Sequence, residues 1–381
     1  MRFELRTSLH LLGEFDRILE HLRQAQTLAE SLDERSRSGW VSSYLMQYFR
    51  HTGDQTSALE AGRRALAIAQ DLGDSALQVT THTHLGVVYG TLGQYRRAVD
   101  MLHGNVQSLA GPRGRERFGM VGLPAVLSSG FLAWYLAELG EFPEAIARSE
   151  EAVAIAESAN DPYSLAIASN LAGVVAVLKG APAQAIQTLE RALELCRAMG
   201  FRILLSPATC WLGAAYTLIG RSADAVPLIK QAVEAAVSMK RMDRYAIFLV
   251  RLGEAHVQAG RPDWASEPAE RALQLARRQG ERGHEAYALR LLADIASRGN
   301  VDEKEAQTGY LEAQALAEQL GMRPLVAHCH LGLGRLYRRA ENPTRAAAPF
   351  EAAAVLYREM DMRHWLAQVE AETRSALLWN K

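Results

Sequence analysis

Seven glycines recur at a near-constant interval, and this period constrains the fold more than any other feature of the chain. They are Gly13, Gly53, Gly93, Gly140, Gly180, Gly220 and Gly260, separated by 40, 40, 47, 40, 40 and 40 residues. Five residues after each stands a small or aliphatic side chain: Ile18, Ala58, Ala98, Ala145, Ala185, Ala225 and Ala265. A second small column lies 12 residues after most of the glycines, at Ala25, Ala65, Ala152, Ala192, Ala232 and Ala272, with Ala313 and Ala353 in the shifted last copies. Only Asn105 breaks it. The two columns are seven apart and so share one face of a helix. Small residues there let the two helices of a hairpin approach closely, and glycine at the turn supplies the left-handed conformation that ends the first helix. A degraded turn falls at Gly299-Asn300, and Glu341 takes the glycine slot ahead of Asn342-Pro343-Thr344. A chain of 381 residues would ordinarily divide into about two or three domains. A repeat array instead grows by stacking. No stretch alternates with period two, so no sheet is expected.

The helix before each turn carries Leu-Gly-x-x-Tyr or a relative: Leu85-Gly86 to Tyr89, Leu212-Gly213 to Tyr216, Leu252-Gly253 to His256 and Leu333-Gly334 to Tyr337. This resembles the tetratricopeptide repeat, a unit of about 34 residues, here stretched to 40. The resemblance implies an all-α fold, a right-handed α-solenoid of about nine helix-turn-helix repeats running as one unit over residues 1–381. The 47-residue step places a loop insertion at 111–124, GPRGRERFGMVGLP. A closing helix is expected over Arg363 to Leu378. At the other end only Arg2 to Leu12 are available for the first helix. Solenoids need caps at free ends, so we expect Met1 to begin a fragment or this end to be covered by something else.

Several longer segments resemble one family. They are YFRHTGDQTSALEAGRRALAIAQDLGD, RERFGMVGLPAVLS, LAELGEFPEAIARSEEAVAIAE, ERGHEAYALRLLADIA and MRPLVAHCHLGLGRLYRR. They are similar to the C-terminal repeat region of bacterial multidomain regulators, in which a class III adenylate/guanylate cyclase domain and an AAA-like or STAND-type ATPase precede the repeats. The resemblance implies a sensor or docking arm. A more distant similarity is to the repeat domain of the maltose-regulon activator, where a solenoid takes part in inducer sensing.

Composition and motifs argue against chemistry. Basic and acidic residues number 42 and 43, so no global field points to nucleic acid or an anionic membrane. No stretch reaches the roughly 18 uninterrupted apolar residues of a membrane span. No signal core opens the chain, and Cys196, Cys210 and Cys329 show no paired spacing. A cytoplasmic protein is expected. No phosphate-binding loop is present, and Gly332-Leu-Gly334 lacks both the third glycine and a preceding strand. His82 and His84, like His328 and His330, are two apart and diverge on a helix, so neither pair chelates one metal ion. No catalytic residue, metal site or cofactor is assigned.

Binding is the remaining function, and the family pattern implies where. Its concave positions fall 13, 10, 9, 6 and 3 residues before each turn. In the N-terminal half they hold Trp40, Tyr44, His84, Phe131, Trp134, Asn170 and Trp211. In the C-terminal half they hold Arg251, Glu254, Tyr287, Arg290, Asp294, Arg335 and Arg338. Asn170 stands where carboxylate-clamp repeats place an asparagine. Arginines sharing one concave surface repel one another without a counter-ion, so an acidic segment is expected there. Arg113, Arg115 and Arg117 of the loop are candidates for an anion or an acidic partner. The expected function is a non-catalytic protein- or peptide-binding scaffold. The alternatives are small-molecule inducer sensing and self-association through the uncapped N-terminal end.

Overall fold

A computed structural model describes residues 9–10, 12–298 and 303–378. The turn expected at Gly299-Asn300 lies outside the described residues, as do positions 2–8 and 11 of the expected first helix. The described residues form 18 α-helices of 14 to 18 residues and no strand. In order they are α1 (Phe15–Ser31), α2 (Arg35–Thr52), α3 (Gln55–Leu72), α4 (Ser75–Thr91), α5 (Tyr95–Ser108), α6 (Pro124–Leu139), α7 (Phe142–Ser158), α8 (Pro162–Lys179) and α9 (Pro182–Met199). Then follow α10 (Arg202–Leu218), α11 (Ser222–Ser238), α12 (Tyr245–Gln258), α13 (Asp263–Gln279), α14 (Arg282–Ala296), α15 (Glu303–Leu320), α16 (Arg323–Arg339), α17 (Pro343–Glu359) and α18 (Arg363–Leu378). Consecutive helices form antiparallel hairpins that stack into an α-solenoid.

The seven turn glycines have φ between 72° and 86°, the left-handed region that closes a helix end. Glu341 takes the same conformation at φ 54°. Two described second helices then start on a capping side chain. Asp54 accepts from the Ser57 amide, and Asn342 from the Arg345 amide.

Hairpin packing follows from the small columns. Ala58, Ala65, Ala145, Ala152, Ala225 and Ala232 are 1% exposed or less. The glycine inside the first helix completes the fit. A Cβ on Gly86 would come 2.6 Å from Leu102 Cγ, and one on Gly213 would overlap Ile229 and lie 3.1 Å from the Ala225 carbonyl oxygen.

Asn105, the break in the column, is 1% exposed. Its Nδ2 lies 2.9 Å from Thr83 Oγ1, 3.0 Å from Ser128 Oγ and 3.2 Å from the Val79 carbonyl oxygen. It therefore joins α4, α5 and α6 beside the insertion. The insertion begins with a short 3-10 turn, Gly111–Arg115. It is held where Thr80 donates to the Phe118 carbonyl at 3.0 Å and the Leu123 amide donates to Ser164 Oγ at 2.8 Å.

Among the described residues one helix, α8, is long and apolar enough to cross a membrane by length and composition, a feature the run of uninterrupted apolar residues did not reveal. It is 72% buried among its neighbours, so its hydrophobicity serves the solenoid core.

The close approach gives a stability test. Gly213→Ala gains helix propensity of about 1 kcal/mol but overpacks a site with backbone on one side, at a cost of about 1–3 kcal/mol. Chemical denaturation is expected to show a net loss. A variant as stable as the parent contradicts the packing argument.

Candidate functional site: the closed axis of the superhelix

The first helices of the units face inward and line the axis. They do not line an open trough, because turns of the N-terminal half pack against the C-terminal half. Gly13 lies on Met239, Gly53 on Met242 and Gln279, Gly93 on Arg282 and Gly283, Gly140 on Met360, and Gly180 on Trp365. The Met242 amide donates to the His51 carbonyl at 2.8 Å. Lys240 pairs with Asp16 at 2.6 Å, and Lys179 with Asp361 at 3.1 Å. The turn of the first unit is thus covered from within the same chain.

The buried centre of this seam is Asp243, 2% exposed. Arg50 Nη1 is 3.0 Å from its Oδ2, and Arg241 Nε is 2.8 Å from its Oδ1. Arg241 also donates to the Ile203 carbonyl. Burial alone would raise the Asp243 carboxyl, but Arg241, His51 and Arg50 outweigh it and hold the group well below the usual carboxylate range. Burial, helped by Arg50, pushes the His51 imidazole down to about 3. A second buried tie crosses the axis at Glu138, which accepts from Trp134 Nε1 at 2.9 Å and from the Tyr287 hydroxyl at 2.8 Å. Burial pushes its carboxyl up against those two hydrogen bonds.

Closure leaves two cavities on the axis. The larger, about 380 Å³, lies in the C-terminal half. Six of the residues expected in the groove meet there: Arg251, Glu254, Tyr287, Arg290, Asp294 and Arg335. Their charges are not left unpaired, which corrects the premise that the groove arginines lack counter-ions. Arg251 bonds Glu254 at 2.7 Å, and Arg290 bonds Glu254 and, at 2.6 Å, Asp294. Burial would raise the Glu254 carboxyl, but Arg251 and Arg290 hold it below its ordinary value. Arg335 and Arg338 reach Glu372 at 2.6 and 3.0 Å. Arg251 also lies over the rings of Trp211 and Tyr287, 4.9 and 5.0 Å from their centroids. Toward the rim stand Arg298 and Arg339, neither of which the groove pattern had indicated. Arg298 donates to the Val257 carbonyl at 3.1 Å. Arg339 makes no side-chain hydrogen bond or ion pair among the described residues.

The smaller cavity, about 80 Å³, lies in the N-terminal half and takes in His84, Phe131 and Asn170. Trp211 packs edge-on against Trp134 with centroids 5.7 Å apart and lines neither cavity. Trp40 and Tyr44 sit together at 5.8 Å under Gly119 of the insertion, and Arg338 lies outside the larger cavity. The loop arginines diverge. Arg113 donates to the Ser108 carbonyl, Arg115 lines a separate surface hollow, and Arg117 pairs with Asp161 at 2.8 Å. They do not form one patch.

Tetratricopeptide-repeat models match residues 125–198 and 302–361. The chain folds as an α-solenoid of tetratricopeptide-like repeats. A model of anaphase-promoting complex subunit 5 matches 7–88 and 219–298, blocks that include both sides of the Asp243 seam. Among curated proteins no match is found. The solenoid is similar over 98% of both chains to a Rap protein complexed with competence and sporulation factor, with a TM-score of 0.66 and 13% identity. It is also similar to the Rap conjugation gene regulator of plasmid pLS20 in complex with the Phr* peptide (TM-score 0.61, 12% identity, covering 92% of this chain and 95% of that one). A third likeness is to aspartyl phosphate phosphatase F from Bacillus subtilis (TM-score 0.51, 13% identity, covering 93% and 92%). At these identities the likeness is one of fold.

Reading the solenoid repeat by repeat misses Arg50, Arg241, Asp243 and Arg244. The last three lie in the connection from α11 to α12, where a run of charges reads as solvated. The one local signal is conformational: Lys240 and Arg244 both have positive φ, at 52° and 66°.

Two outcomes test the seam. Asp243→Ala leaves two guanidinium groups buried and uncompensated, and is expected to cost about 3–5 kcal/mol and to enlarge the radius of gyration in small-angle scattering. An unchanged radius counts against closure by this contact. For His51, the unfolded chain takes up a proton below about pH 6.5 that the folded chain refuses until about pH 3. Stability therefore falls on acidification through that window, by at most about 1.4 kcal/mol per pH unit for one proton. Urea titrations of His51→Gln are expected to show a shallower fall than the parent.

Proposed function

We propose that this solenoid is a non-catalytic, peptide-binding regulatory scaffold that takes an acidic segment into the larger axial cavity. The observation that carries the reading is the charge on the cavity wall. Five arginines line it against two carboxylates. Arg251 and Arg290 are committed to Glu254 and Asp294. Arg335 is held by Glu372, so the excess lies at Arg298 and Arg339, on a wall that also carries the rings of Tyr310 and Trp365. Arginine and aromatic side chains are the usual anchors of a recognition surface. A volume of about 380 Å³ falls within the range of small-ligand and side-chain pockets, about 300–1,000 Å³, and suits a short stretch of peptide. The two Rap-type neighbours, described as complexes with competence and sporulation factor and with the Phr* peptide, support peptide binding by a solenoid of this length. The five family-like segments support the wider assignment, a sensor arm of an ATPase- or cyclase-type signalling protein in the cytoplasm.

The structure refines which residues to test. Arg290 is too deeply paired for charge reversal to report on a ligand. Arg298, bonded only to a backbone carbonyl, and Arg339 are better placed. In fluorescence polarisation, acidic peptides are expected to bind in a salt-dependent way. The double variant Arg298→Glu, Arg339→Glu should weaken them tenfold or more, about 1.4 kcal/mol, without lowering the melting temperature of the free protein by more than a few degrees. Equal affinity for acidic and basic peptides overturns the reading. A metabolite that raises the melting temperature where no peptide does transfers the cavity to small-molecule sensing.

A further inference from the structure

The connection that closes the superhelix contains a second arginine, whose position the closure does not explain. Arg244 has a backbone φ of 66°, a left-handed conformation that is strained for a residue with a side chain. It is 7% exposed. Its guanidinium lies 5.1 Å from the ring centroids of both Phe131 and Trp134. It makes no side-chain hydrogen bond or ion pair among the described residues. Asp243 pairs with Arg50 and Arg241 at 3.0 and 2.8 Å and not with Arg244.

The side chain faces the smaller axial cavity, whose wall carries Arg50, Arg241 and Arg244 and, among the described residues, no aspartate or glutamate. Two more donors are unsatisfied there. Asn170 is 9% exposed and its Nδ2 has no hydrogen-bond partner, and Arg50 Nε is likewise buried without one. Three buried guanidinium groups thus share one carboxylate. A buried cation without a counter-ion is costly, and so is a buried donor left unpaired. A strained backbone that holds such a cation in place is the arrangement expected where the missing charge comes from outside.

We infer that the smaller cavity is a binding site for one compact oxyanion, held by Arg244 and Asn170, and that the anion strengthens closure by supplying the negative charge the seam lacks. The size agrees. About 80 Å³ is the space of two or three water molecules at about 30 Å³ each, enough for a phosphate, sulfate or carboxylate group and too small for a peptide segment. The same chemistry comes from a free inorganic anion or from the carboxylate of a small acid. The inference is independent of the peptide reading, because the site lies in the other cavity and is tested without peptide.

The experiment is calorimetry and thermal melting of the full chain in phosphate, sulfate and acetate, with chloride as control at matched ionic strength. The expected result is saturable binding of one oxyanion per chain and a rise in melting temperature of about 2 °C or more at saturation, with a smaller radius of gyration. Preference for phosphate and sulfate assigns a free inorganic anion, and preference for acetate a carboxylate ligand. Arg244→Met is expected to abolish the shift and, in chloride, to melt no lower than the parent, since it removes an unpaired buried charge. Asn170→Ala is expected to weaken binding about tenfold and keeps the test open if Arg244→Met does not fold. An oxyanion response no larger than that of chloride, or one of full size in either variant, overturns the inference.

Discussion

Asp243 lies buried between Arg50 and Arg241, on a connection that meets α2 across 193 residues of chain. Removing three charges from water is expensive, and the geometry offsets the cost only while all three stay together. That requirement holds the second hairpin against the connection before α12. The backbone bond from Met242 to His51 fixes the same register, and the Glu138–Tyr287 bond repeats the tie further along the axis. The solenoid is thereby a closed tube with two separate cavities, and every functional statement about it depends on that closure.

The closed form is possible because each hairpin is stiff. Alanines exposed by 1% or less and a glycine facing Leu102 or Ile229 leave the paired helices no room to slide. Stiff units stacked at a constant offset carry their geometry over many repeats, so turns in one half meet the other half in register. The insertion after α5 stays within this scheme. Asn105 is spent on joining α4, α5 and α6 at the point where the period is interrupted.

The two cavities differ in how their charge is satisfied. In the C-terminal half Glu254 and Asp294 alternate with Arg251 and Arg290, a paired array that leaves excess basic charge only at the rim. In the N-terminal half a single carboxylate stands behind three arginines. The first arrangement suits an extended ligand that competes at a mouth, and the second a small anion that completes a buried set.

What could be read from the sequence was the part that repeats. The spacing from Gly13 to Gly260, the small columns and the Leu-Gly-x-x-Tyr phrases describe contacts between neighbours in the chain, and such contacts recur with the period. The same pattern placed Arg251, Glu254, Arg290 and Asp294 on one inner face. Asn105 was visible as an exception, but its reason needed Thr83 and Ser128 beside it. Arg50, Asp243 and Arg244 were not legible, because no period links α2 to the segment before α12. The sequence by itself determined the unit and its stacking, since nearest-neighbour packing is written into every copy. Only the tertiary structure decided that the axis is closed and where its charge is unbalanced, because those contacts join residues about half the chain apart and each occurs once.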